Sequence, residues 1–110
     1  MALKKSKTIN GVTGEYWQIF SNWYDKNTNK TLSRMRCYVN EIIRDGESGL
    51  RNYISMPEFI MARFFNGEKS VAQSYAEWKV SKPATQEDVD KGIATEVGQE
   101  LNEFADAIDV

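Results

Sequence analysis

No histidine occurs in this chain of 110 residues. That removes the commonest general acid–base group, every Ser-His-Asp or Cys-His arrangement, and most zinc sites. A single cysteine, Cys37, leaves no partner for an intrachain disulfide. It falls among the inward positions of a predicted strand, where a small buried thiol is the default, and it suits a reducing compartment. Neither common phosphate-cradling glycine pattern is present. No apolar run approaches the ~20 residues needed to span a bilayer; Phe59-Ile60-Met61-Ala62 stops at Arg63. The opening MALKKSK has lysines but no apolar stretch after them, so it does not read as a secretory signal. Asp45 and Glu47 flank Gly46 like a calcium-loop fragment, yet a full EF-hand loop counted from Asp45 puts Gly49 and Met56 where oxygen ligands are required. The glutamates Glu96, Glu100 and Glu103 have the spacing of a solvated helix face. No cofactor and no metal are expected, and binding or assembly is favoured over catalysis.

What the chain does have is an aromatic strand. Glu15 to Tyr24, EYWQIFSNWY, alternates apolar groups on both faces. Strict alternation puts Trp17, Ile19 and Trp23 on one side and Tyr16, Phe20 and Tyr24 on the other. A sheet that covers one core needs only one apolar face, and 110 residues supply one modest core. The second face therefore asks for a partner or for burial on both sides. Arg34 and Arg36, on the next strand, accompany it. Tyr, Trp, Phe and Arg are the types enriched at the centres of protein interfaces, so Tyr16, Trp17, Phe20, Trp23, Tyr24, Arg34 and Arg36 are the candidate interface. Aromatics beside cations also suit stacked bases of single-stranded nucleic acid, which stands as the alternative.

A single domain is expected, α+β in class: a possible arm or first edge strand over 1–14, an antiparallel sheet of three to five strands within 8–65, and helical segments over 66–110. Strand one spans about 15–24. The polar run Asp25–Lys30 is a hairpin loop, and strand two follows over 31–44 with Met35, Cys37, Val39 and Ile43 inward. Asp45–Gly49 turns into a third strand over 50–56, ended by Pro57; 58–65 is a fourth strand or a short helix. Ser70 and Gln73 match a capping box ahead of a short helix with Val71, Tyr75 and Trp78 on one face. Thr85 and Asp88 match a second, ahead of an i+4/i+3 stripe of Val89, Ile93, Val97, Leu101, Phe104 and Ile108 that fits one long last helix, two helices broken at Gly92 or Gly98, or a loop. Residues 1–85 hold 13 basic and 8 acidic side chains; residues 86–110 hold one basic and eight acidic. Either the acidic segment has a solvated face, or it docks on a basic body, its own or a neighbour's.

The opening MALKKSKTINGVTGEYWQI, with a polar hairpin and a basic second strand after it, resembles small proteins encoded among the tail and baseplate genes of tailed bacteriophages. The close, Glu103 to Val110, is similar to a common ending in that group, and Ser74–Val80 looks like the helix that usually leads into it. Here residues 83–102 look like an insertion between the two. The resemblance implies a virion structural role in a tail, tail tip or baseplate, with synthesis in the host cytoplasm. The partners it implies are other tail proteins and copies of itself in a ring. It supplies no site residues. The alternative is a small phage-borne protein that binds a single strand or a host component.

Overall fold

The structure, a computed structural model, describes residues 2–39 and 53–110. In chain order it contains β1 (Leu3–Ile9), β2 (Val12–Asp25), β3 (Lys30–Tyr38), a 3-10 turn at Pro57–Phe59 and β4 (Ile60–Asn66). There follow α1 (Val71–Trp78), β5 (Lys82–Pro83), α2 (Gln86–Asp90), β6 (Glu100–Leu101) and β7 (Ile108–Asp109). Five strands form one antiparallel sheet in the order β4-β3-β2-β1-β7, and β5 pairs with β6 as a separate ribbon. The α+β class with an antiparallel sheet holds, weighted toward β.

Local chemistry sets the turns. Asn10 and Gly11 both have positive φ, 51° and 79°, and Ile9 faces Val12 across them, the two-residue turn whose twist matches a hairpin. The first residues are therefore a hairpin strand, not an arm. Nor is β1 a sheet edge, because β7 pairs with its outer side. The β2–β3 loop closes between Asp25 and Lys30, where the Asp25 carboxylate accepts from the Asn27 N–H at 2.9 Å. Expected strand two is seen as β3; its remainder, the Asp45–Gly49 turn and the start of expected strand three lie outside the described residues. Of that third strand, Tyr53 bridges Tyr38 and the Ile54 N–H donates to the Cys37 carbonyl at 2.9 Å before Pro57 opens the 3-10 turn. Residues 60–66 are a strand and not a helix.

The core lies between the inner face of the sheet and α1. Ser70 caps α1 through the reciprocal Ser70–Gln73 box, an arrangement contributing roughly 0.5–2 kcal/mol. Tyr75 and Trp78 face inward; Val71 is exposed. The Trp78 indole N–H donates to Ser33 Oγ at 2.9 Å, and the Ile19 N–H donates to Tyr75 Oη at 2.8 Å. Phe104 stands edge-on between Trp17 and Trp78, with centroids 5.2 and 5.5 Å away. Arg63, fully buried on β4, donates to the carbonyls of Trp78 and Val80 and to Glu103 Oε2 at 2.6 Å. Its guanidinium thereby satisfies carbonyls at and just beyond the C-terminal end of α1, where a cation is favoured.

The long last helix does not form. Asp88 and Thr85 cap each other as expected, but α2 stops at Asp90. Gly92 takes φ +75°, its N–H donates to Val89 O and the Ile93 N–H donates to Asp88 O, which is the Schellman close of a helix. Gly98, at φ +87°, turns the chain again. The i+4/i+3 stripe is thereby divided. Val89 and Ile93 pack with Ala84, Ala94 and Leu101 in a small second core, Phe104 joins the main one, and Val97 and Ile108 remain exposed. Lys82 faces Leu101 and Pro83 faces Glu100, so residues 82–101 leave and re-enter the domain at one place.

Candidate functional site

Cross-strand register defines the two faces of the sheet. Leu3, Trp17 and Cys37 share a row on the inner face, as do Ile19, Met35 and Met61. The ladder then slips: Ile19 faces Met35 but Ser21 faces Arg34, leaving Phe20 as an extra residue. A bulge of this kind reverses the parity of every later position. Beyond it Asn22, Ser33 and Arg63 share the inner face, with Tyr24, Thr31 and Phe65. Ser21, Arg34 and Ala62 share the outer face, with Trp23, Leu32 and Phe64.

The expected grouping of aromatics is therefore corrected at the bulge. Trp17 and Trp23 lie on opposite faces, and Trp23 joins Tyr16. Trp17 is 1% exposed, donates its indole N–H to Lys5 O at 2.9 Å and belongs to the core, so it is no surface contact. Tyr16 is on the outer face but only 8% exposed, with Lys4 Nζ over its ring. Tyr24 is on the inner face, its hydroxyl donating to Asn29 Oδ1 at 2.7 Å. Phe20 keeps partial exposure, with the Arg36 guanidinium 5.0 Å from its centroid; Arg36 also covers Tyr53 at 4.3 Å. Arg34 is exposed and has no ion-pair partner among the described residues. Trp23 is 64% exposed. The three-ring platform Tyr16–Phe20–Tyr24 is not assembled.

A different site takes its place. Trp23, Leu32, Phe64 and Ala62 floor a cleft of about 430 Å³. Lys30, Arg34 and Asp25 line it from the sheet, and Glu87, Lys91 and Ile93 from the 82–101 excursion. Lys30 and Glu87 pair across it at 3.0 Å, which neutralises both. Arg34 and Lys91 are the cations left without an ion pair among the described residues. The sequence reading does not single out Leu32, because only the inward positions of its strand carry the argument there, or Phe64, because 58–65 fits a strand or a short helix and has no face assigned. Adjacent Phe64 and Phe65 necessarily send one ring to each face, and that was the available signal.

The remaining reactive group offers no nucleophile. Burial pushes the Cys37 thiol up to about 12, so it stays protonated, and the thiolate is the reactive form. Among the described residues no three His, Cys, Asp or Glu side chains converge, and no helix is long and apolar enough to cross a membrane. Comparison with protein-family models, with curated proteins and with solved structures finds no match. The site must be read from its geometry.

The acidic C-terminal segment docks largely on its own chain. Glu87 pairs with Lys30, Glu103 with Arg63, Asp106 with Lys5 and Asp109 with Lys79, at 3.0, 2.6, 2.7 and 3.1 Å. The charge asymmetry of the sequence is thus mostly an intramolecular match. The hydrogen bond from Lys5 holds the Asp106 carboxyl below its ordinary range.

Proposed function

We propose that this chain is a non-enzymatic structural subunit that docks against other proteins, copies of itself included, through the outer face of its sheet. The observation that carries this is Trp23: a strand tryptophan 64% exposed, in one row with Leu32 and Phe64 and beside Arg34, which has no ion-pair partner among the described residues. Among the described residues the main core cluster does not include it. Burying a tryptophan among apolar groups with an arginine nearby is the usual make-up of an interface centre. The likeness of the two chain ends to tail and baseplate proteins of tailed phages gives the assembly its proposed setting, a virion tail. Light scattering after size exclusion over a range of concentrations tests the docking reading. The chain is expected to associate, and Trp23→Ser to stay folded and monomeric. A wild-type monomer at every concentration would remove self-association from the proposal.

A further inference from the structure

Resting on that docking reading, we infer that the cleft beside Trp23 takes the Glu96–Val97 turn of a second copy, in a head-to-tail contact. Seven of the eight acidic side chains in residues 86–110 already have a side-chain partner. Glu87, Glu103, Asp106 and Asp109 are paired with lysine or arginine. Asp88 accepts from Thr85, Asp90 from the Gln86 amide, and Glu100 from the Ser81 hydroxyl. Glu96 alone of the eight has no side-chain hydrogen bond or ion pair among the described residues. Next to it Val97 is 59% exposed, projecting from the turn that Gly98 closes.

An acid beside an apolar side chain complements what the cleft leaves over. Trp23, Leu32 and Phe64 present apolar surface, and beyond the Lys30–Glu87 pair two cations, Arg34 and Lys91, stand against one carboxylate, Asp25, so the charge left over is net positive. The C-terminal acids of a second copy are committed within their own chain, so they are poor candidates for the same cations. A symmetric dimer that stacks cleft on cleft is disfavoured as well, because it leaves both turns unused. Cleft and turn are different patches of one surface. Joining them is a heterologous contact, which builds rings when the rotation closes and filaments when it does not. The ion pairs steer this docking more than they strengthen it.

The test uses two variants of the full chain. Trp23→Ser removes the cleft floor, and Glu96→Lys with Val97→Ser removes the turn. Each alone is expected to weaken association by about tenfold or more, with an unchanged far-UV spectrum. Mixed together they are expected to form a 1:1 dimer that grows no further, since only one intact cleft meets one intact turn. Wild-type association that survives the turn substitutions but not Trp23→Ser would overturn the turn as occupant and leave the docking face standing. Wild-type monomers at all concentrations would overturn a second copy as the occupant and remove self-association from the docking reading. If Trp23→Ser proves unfolded, Arg34→Glu serves instead: it is expected to weaken association alone and to recover it in combination with Glu96→Arg. Failure of that recovery would also sink the pairing.

Discussion

Two tryptophans six residues apart in one strand have opposite roles, and the difference is one bulged residue. Trp17 makes ring contacts with Phe59 and Phe104, so Trp17→Ala should cost ~3–5 kcal/mol of stability in denaturant unfolding. Trp23→Ala should change stability by about 0.5 kcal/mol or less, as for other surface positions. Equal losses at the two sites would contradict the face assignment. The sequence showed that the strand was aromatic on both sides, but not which ring went where. Nothing at Ser21 or Asn22 announces a slipped ladder; Phe20 is accommodated by the Arg36 guanidinium over its ring, a neighbour supplied by register. Cys37 gives a second residue-scale prediction. Its pKa is raised in the folded state to about 12, against roughly 8.5 in an unfolded chain. The thiol's contribution is therefore fully present below the unfolded value and is lost as pH rises through the folded one. Denaturant midpoints measured from pH 8 upward should fall less steeply for Cys37→Ala than for wild type; parallel curves would exclude the thiol as a source of alkaline instability.

Elements whose signals are local were legible. Both capping boxes form with the partners that their spacing named, because a cap depends on residues three apart. The long C-terminal helix was misread for a reason equally local. The spacing of Val89, Ile93, Val97, Leu101, Phe104 and Ile108 fits a helix, yet these residues serve two cores and the solvent. Gly92 decides between the two. At φ +75° with open space around its Cα, it closes α2 in a conformation an L-residue adopts at a cost of about 1–2 kcal/mol. Gly92→Ala should accordingly destabilise the excursion by about that amount, despite the gain in helix propensity. Amide exchange resolved by residue would show it as faster exchange at Ile93 and Ala94, whose N–H groups donate to Asp88 O. Slower exchange there would mean that the substitution extends α2.

At the scale of the whole molecule, the ends were the least legible part. Ala2 and Val110 exchange backbone hydrogen bonds at 2.9 and 3.0 Å, and β7 extends the sheet beyond β1. No periodicity in a short terminal segment reports a partner about a hundred residues away. The excursion over residues 82–101, in contrast, is a separate unit. Lys82–Pro83 pairs with Glu100–Leu101 at its base, and its apolar residues form a cluster of their own. The path from Trp78 to Phe104 through the main core does not need it. Joining Pro83 to Glu100 through a short Asn-Gly turn should therefore leave a cooperatively folded sheet with Trp17, Trp78 and Phe104 still buried, as near-UV circular dichroism and tryptophan emission would report. Stability should fall modestly, since the Lys30–Glu87 pair is part-exposed and such pairs contribute on the order of 0–1 kcal/mol, while Leu101 keeps its place but loses its cluster. The same deletion removes both Glu96–Val97 and the excursion wall of the cleft. A folded, monomeric product is thus the outcome that fits an appended docking element. A chain that no longer folds would make residues 84–99 part of the domain's foundation, and their resemblance to an insertion a coincidence of sequence.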